Sequence, residues 1–166
     1  NNPHTNYCKK DMPDRAIQRN DKHISEQICE FYGIPLDNTS CEIFLTKPEL
    51  LFADEALKGI PEKFITIDPH TKDEYTVNKR YPFNKWQRVI DDIKDRITVI
   101  QIGEKTDRVL DGCINMSGQT TFRQAGAIID RASLHVGSEG GLMHLARAVD
   151  TKSVIVITGF LHPTMT

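Results

Sequence analysis

One stretch of the sequence, residues 133–149, constrains the fold more than any other. A β-rich run leads into Gly-Ser-Glu-Gly-Gly at 137–141, and the apolar residues that follow have the spacing of a helix packed on one face. The first amides of such a helix lack partners inside it and carry the positive end of its dipole. Gly140 and Gly141 would let a ligand approach that backbone. The pattern therefore indicates a pyrophosphate-binding turn, although a tight βα turn capped by Glu139 explains it equally well.

The composition limits the class of protein. The chain has 166 residues, enough for one domain with a sizeable core and an appendage. Its net charge of −2, with acids and bases interspersed, argues against a nucleic-acid partner. No apolar run approaches the roughly 20 residues of a membrane span. The four cysteines have no CxxC spacing, which favours reduced thiols over a zinc site. We therefore expect a cytoplasmic protein without metal or transmembrane segment, and peripheral attachment to the inner membrane face stays open.

Residues 61–166 carry the signal of a parallel sheet. Strands are predicted at 64–67, 97–103, 113–116, 133–136 and 153–157. They alternate with helices, one opened by Pro82 and one by a capping box of Thr121 and Gln124. These two helices are expected to bury the apolar stripes Phe83, Trp86, Val89, Ile90, Ile93 and Phe122, Ala125, Ile128, Ile129. The alternation requires right-handed crossovers and predicts an α/β, Rossmann-like parallel sheet flanked by helices.

The carboxyl ends of these strands locate the candidate site, because ligands bind at that edge of parallel sheets. The loops predicted to lie there are 68–80, 103–106, 117–121, 137–141 and 158–163.

The first 60 residues predict a helical and linker segment. Residues 1–22 are polar and are expected to form a linker or a surface segment. A helix is predicted at 23–32, a short strand at 42–46 and a helix at 49–58. This part of the sequence has no phosphate loop, metal cluster or catalytic triad. Because the chain begins in a polar run without Met, we expect it to be a piece of a longer protein.

Four segments follow one another in an order typical of a known family. Segment 67–86 has a strand, a loop, Lys-Arg-Tyr-Pro and a Trp, and segment 99–103 is a strand that ends in Gly. Segment 117–124 is similar to Gly-x-Thr-Ser-Leu-Arg-Glu, and 136–146 to Val-Gly-Asn-Asp-Ser-Gly-Pro-Met-His-Leu-Ala. Together they resemble the second lobe of the GT-B glycosyltransferases of family nine, which are heptosyltransferase-like.

The resemblance implies a division of the chain at residue 60. Residues 61–166 would form a nucleotide-sugar-binding lobe, truncated at its C-terminus. Residues 1–60 would hold a connector and the last part of an N-terminal lobe that the chain lacks. The implied substrate is a nucleotide-diphosphate sugar, with an ADP-sugar favoured, and no other cofactor is expected.

The resemblance also implies a set of donor-binding residues. Lys79 matches the family lysine that neutralises the donor phosphates, a role that suits a strongly hydrated ammonium on a flexible stem. The hydroxyl of Thr71 would donate to the same phosphates, and the amides of Gly140, Gly141 and Leu142 would complete the cradle. An ordinary solvated loop lysine remains the alternative for Lys79.

Four further residues are implied, and three of them have two interpretations. Glu139 stands where the family has Asp, and Gly140 replaces a Ser or Thr; Glu139 would accept hydrogen bonds from sugar or ribose hydroxyls, or pair with the helix dipole. His144 would reach the phosphates or brace the turn. Glu104 would meet a ribose, and Thr120 would face the nucleotide or cap a helix.

The implied reaction is the transfer of a sugar from the nucleotide donor to an acceptor hydroxyl of a glycan or protein, in bacterial surface glycan or glycoprotein synthesis. It needs a base for the acceptor proton, which we expect on the absent lobe, so no catalytic residue is assigned here. We expect the isolated chain to be inactive. Two alternatives stay open: a lobe like that of the sugar-nucleotide 2-epimerases, and a non-catalytic nucleotide-binding or scaffold module.

Overall fold

The fold is a five-stranded parallel sheet with helices on both faces. The structure is a computed structural model of the chain, and it describes residues 22–71 and 79–158. The strands are β1 (Phe64–Asp68), β2 (Thr98–Gln101), β3 (Ile114–Asn115), β4 (Leu134–Ser138) and β5 (Ser153–Val156). The helices are α1 (Ile24–Tyr32), α2 (Lys47–Ala56), α3 (Phe83–Ile93), α4 (Phe122–Arg131) and α5 (Gly141–Ala148). The strand order is β3-β2-β1-β4-β5, and every pairing is parallel. The predicted α/β, Rossmann-like class is confirmed.

The sheet separates two apolar cores. On one face, α2, α4 and α5 pack over Phe64, Ile100 and Ile102. On the other face, Trp86 and Ile90 of α3 are buried against apolar residues of β1, β2 and β4. Strand β1 is buried on both faces, as a central strand of a parallel sheet must be. It is therefore β1 and its neighbours β2 and β4 that end beneath any ligand at the carboxyl edge.

Helix α4 begins as its sequence predicts. Thr121 Oγ1 accepts a hydrogen bond from the amide of Gln124, and Gln124 Oε1 accepts one from the amide of Thr121. This capping box satisfies two groups that the helix cannot pair internally. An ion pair between Arg123 and Glu49 then joins α4 to α2, and it lowers the pKa of Glu49 to about 2 through the hydrogen bond from Arg123. Helix α2 thus packs against the sheet domain, although it precedes residue 61.

Several sequence expectations were wrong in detail. Residues 42–46 form no strand. Ile43 and Leu45 pack on the core, while Phe44 is exposed. The helices beneath this segment offer no strand for it to pair with. Helix α1 ends at Gly33 as predicted, but it buries none of its side chains among the described residues. Val89 and Phe122 were expected in buried stripes and are exposed.

The loops expected at the carboxyl edge are only partly described. Residues 72–78 of the loop 68–80, residues 159–163 of the loop 158–163, and residues 1–21 of the N-terminal segment lie outside the described residues. Within the two described ranges, no helix has the length and apolar character needed to cross a membrane.

Candidate functional site

The carboxyl ends of β1, β2 and β4 surround a cavity of about 720 Å³, which we call the edge cavity. All of the residues that the sequence analysis singled out lie in its wall. They are Thr71, Lys79, Glu104, Thr120, Glu139, Gly140, Gly141, Leu142 and His144. The parallel topology brings them together, because loops that follow neighbouring parallel strands emerge at the same edge. Their placement is a finding, and their binding roles remain predictions.

The glycine turn, residues 139–142, forms one open wall of the edge cavity. Strand β4 ends at Ser138, and α5 begins at Gly141 with Gly140 as its N-cap. Gly140 is extended (φ 174°, ψ −170°), and a Cβ placed there would meet nothing within 4 Å. A Cβ at Gly141 would touch only the Phe122 ring, at 3.4 Å. The first-turn amides therefore border open space rather than packed side chains, which is the arrangement that an anion needs.

Lys79 points at this turn from the far side of the cavity. Its Nζ lies 2.6 Å from Glu139 Oε2, and the two side chains are only 20% and 11% exposed. The sequence analysis gave these residues separate tasks, Lys79 for phosphate and Glu139 for hydroxyls. Instead, the structure pairs the two side chains. The pair holds the Lys79 ammonium beside the helix N-terminus, with the Glu139 carboxylate offsetting its charge.

Two threonines, a glutamate and a histidine also line the edge cavity. Thr71 Oγ1 is buried and has no hydrogen-bond partner among the described residues, so it has a donor available for a ligand. Thr120 is half-buried in the opposite wall, while Thr121 makes the cap of α4. Glu104 and His144 are exposed at the rim.

Asp68 is a cavity residue that the sequence analysis did not assign. It is the last residue of β1 and pairs in register with Gly137 of β4. Burial raises the pKa of its carboxyl to about 7, the negative charge of Glu104 raises it too, and a hydrogen bond from the amide of His70 opposes both. An acid at the end of a buried central strand, followed by proline, was the sequence signal that could have identified it.

A buried polar pair lies on the strands beneath the edge cavity. Thr66 Oγ1 and His135 Nδ1 are 3.0 Å apart across β1 and β4, and both residues are fully buried. Burial lowers the pKa of His135 to about 4, so its ring is neutral at physiological pH. The pair is therefore an uncharged cross-strand contact and adds no charge to the cavity floor.

A second cavity of about 790 Å³ opens on the α3 side of the same edge. It shares His70 and Thr71 with the edge cavity. Its best-defined contact is the guanidinium of Arg108, which lies 4.7 Å from the centre of the Phe83 ring. Among the described residues, no group of three or more His, Cys, Asp or Glu side chains could hold a metal ion.

The family comparison matches nearly the whole chain. The model of glycosyltransferase family 9 (heptosyltransferase) matches residues 5–159. None of the curated proteins compared with the chain matches it.

Solved structures share the fold at low sequence identity. One is a glycosyl transferase of family 9 from Veillonella parvula DSM 2008, with a TM-score of 0.70 and 15% identity over 89% of this chain. Another is the ADP-heptose lps heptosyltransferase II of E. coli, with a TM-score of 0.57 and 20% identity over 69% of this chain. A third is the E. coli heptosyltransferase WaaC with ADP, with a TM-score of 0.51 and 13% identity over 85% of this chain. The chain spans 50%, 38% and 50% of these three structures.

Proposed function

The chain belongs to glycosyltransferase family 9, the heptosyltransferase family, and on that premise we propose that its edge cavity binds a nucleotide-diphosphate sugar. The observation that carries the proposal is the pairing of open first-turn amides with Lys79 across one cavity. The volume of the edge cavity, about 720 Å³, lies within the range of small-molecule sites. The diphosphate would lie against the glycine turn, because that wall combines backbone donors, a helix dipole and an ammonium.

The Lys79–Glu139 pair suits a donor that carries both phosphates and hydroxyls. A carboxylate next to a diphosphate costs electrostatic energy unless a cation lies between them. Lys79 would lie between the two, contacting both Glu139 and a phosphate oxygen. Glu139 would then turn its remaining acceptor capacity to a ribose or sugar hydroxyl, with Thr71 as a further donor to the phosphates.

We propose an ADP-sugar as the donor and an acceptor hydroxyl on a glycan or protein as the second substrate. Two of the similar structures are named for ADP-heptose or contain ADP, which supports adenine over other bases. The base that takes the acceptor proton is proposed to lie on a second lobe. Residues 61–166 would form the donor lobe, and α2 would brace it from the connector.

Binding of the donor can be measured by calorimetric titration of the 166-residue chain with ADP-, GDP- and UDP-sugars. We expect saturable binding that is tightest for the ADP-sugar. Lys79→Ala should weaken it by about tenfold or more, since hydrogen bonds to charged groups contribute roughly 1.5–3 kcal/mol.

The matched control is Lys63→Ala. Lys63 is an exposed lysine next to the amino end of β1, at the opposite edge of the sheet. This control should bind like the unaltered chain. Equal binding by the two lysine variants would refute the proposed role of Lys79, and no saturable binding to any of the three sugars would leave a scaffold function as the better explanation.

A further inference from the structure

Asp68 lies at the floor of the edge cavity. It ends the central strand β1, and its carboxyl lies between the loops that follow β2 and β4. Among the described residues it forms no ion pair. Lys79, one of the two lysines among the described residues that line the same cavity, is paired with Glu139.

The carboxyl of Asp68 is fixed by the backbone around it. Gly103 has a φ of +121°, and a Cβ there would lie 2.8 Å from Asp68 Oδ1, so the carboxyl fills the space that a side chain at 103 would need. The amide of His70 donates to the same oxygen at 3.2 Å. A rotation of the carboxyl toward bulk water would therefore break the hydrogen bond from His70 and leave the space beside Gly103 empty.

The charges around Asp68 do not favour a second anion while Asp68 is ionised. Among the described residues, the titratable groups that line the cavity with it are His70, Lys79, Glu104, Lys105, Glu139 and His144, and His135 lies on the adjacent strand. With all acids ionised, three carboxylates face two lysines, and a diphosphate would add further negative charge. Burial and Glu104 raise the pKa of Asp68 to about 7, so this carboxyl is partly protonated near neutral pH.

We propose that Asp68 belongs to the donor site and contacts the diphosphate as a neutral carboxylic acid, donating a hydrogen bond to a phosphate oxygen. The inference rests on the proposed function, because it assumes that the donor occupies the edge cavity. The proton stays on Asp68, and no covalent bond changes. A neutral acid is a hydrogen-bond donor toward phosphate, whereas the ionised form has only acceptors and repels it.

The affinity for a diphosphate ligand should therefore depend on pH. The binding-competent form is protonated, so affinity is highest below about pH 7 and falls as the pH rises through that value. The probe is ADP-ribose, because its two phosphates are diesters. ADP itself is unsuitable, since its terminal phosphate titrates near about pH 6.

The test compares the unaltered chain with Asp68→Asn, which keeps the shape of the side chain and offers an N–H donor at every pH. Between about pH 6 and pH 8 the affinity of the unaltered chain should fall about tenfold, the change expected for one required proton with a pKa near 7. The affinity of Asp68→Asn should change less than about twofold and should equal or exceed that of the unaltered chain at the upper pH. Thermal unfolding of both proteins checks that the variant is folded.

A second readout does not depend on the variant. Heats of binding in two buffers of different ionisation enthalpy give the number of protons taken up, and about half a proton per site is expected at pH 7. No uptake, or an equal pH slope in Asp68→Asn, would overturn the inference while leaving the proposed function intact. Absence of ADP-ribose binding to either protein at every pH would overturn both.

Discussion

Gly140 leaves the space above the glycine turn unfilled. Its extended backbone is accessible to any residue, and a Cβ would meet nothing within 4 Å. The family pattern that the sequence resembles has a hydroxyl residue at this position. The glycine is therefore dispensable for folding, and its effect should be confined to what the turn can bind.

A hydroxyl at position 140 should strengthen anion binding without changing stability. Gly140→Ser is expected to leave the free energy of unfolding within about 0.5 kcal/mol and to raise the affinity for ADP-ribose about fivefold, because its hydroxyl adds a donor beside the phosphates. Gly140→Ala is the matched control, which adds the carbon alone and should change affinity less than about twofold. An unchanged affinity in Gly140→Ser with normal stability would mean that the diphosphate lies elsewhere.

Two features of the site could not be predicted from the sequence, because they depend on residues that are distant along the chain. They are the Lys79–Glu139 ion pair and the raised pKa of Asp68. That Lys79 and Glu139 lie near a ligand edge follows from the strand pattern, but their 2.6 Å ion pair depends on the path of a long loop. The pKa of Asp68 depends on burial by residues from three different loops, so a linear pattern could not reveal it.

Two loops form the far wall of the edge cavity as one unit. The amide of Gly118 donates to the carbonyl of Gly103 at 2.9 Å. The buried amide side chain of Gln101 donates to Arg108 O and Ser117 Oγ and accepts from the amide of Leu110. The end of β2 thus orients the loops that carry Glu104 and Thr120.

Gly118, like Gly103, is a position in this unit that requires glycine. Its φ is +72°, and a Cβ would lie 2.7 Å from the Cα of Lys105. Gly118→Ala should reduce the free energy of unfolding by about 2–4 kcal/mol, which combines backbone strain and overlap with a main chain that cannot move aside cheaply.

The control for this substitution is Gly59→Ala. Gly59 also has a positive φ (+79°), but a Cβ there would meet nothing within 4 Å. Gly59→Ala should therefore reduce the free energy of unfolding by only about 1–2 kcal/mol, the cost of a left-handed backbone conformation for alanine. Chemical denaturation of the two variants measures the difference, and equal destabilisation would show that the contact between the two loops is not rigid.

The elements that the sequence predicted well are those whose pattern is determined by burial on the sheet. The sequence predicted the buried runs of four or more residues and the capped helix α4. The alternation of strands with helices, the capping residues and the β-branched residues all indicate the same elements there. The strand expected at 42–46 does not form, because the apolar residues there pack on helices and do not pair with a strand. Phe122 was misassigned because its helical spacing places it at the cavity, where space is left open.

The molecule as a whole offers one edge of its sheet for binding. Both faces are covered by helices, and β1, β2 and β4 end beneath the edge cavity. The chain spans half the length of the similar Veillonella structure. On the proposed function, these residues would support donor binding, and we propose that acceptor binding and proton transfer lie on a further lobe.

The most direct measurement of the central claim is a titration of the ¹⁵N-labelled chain with ADP-ribose, followed by amide chemical shifts. The account predicts that the largest shifts fall on Gly140, Gly141 and Leu142, with smaller shifts near Thr71, and that Lys79→Ala reduces all of them at a given ligand concentration. Shifts concentrated around Arg108 in the second cavity, with the glycine turn unchanged, would contradict it.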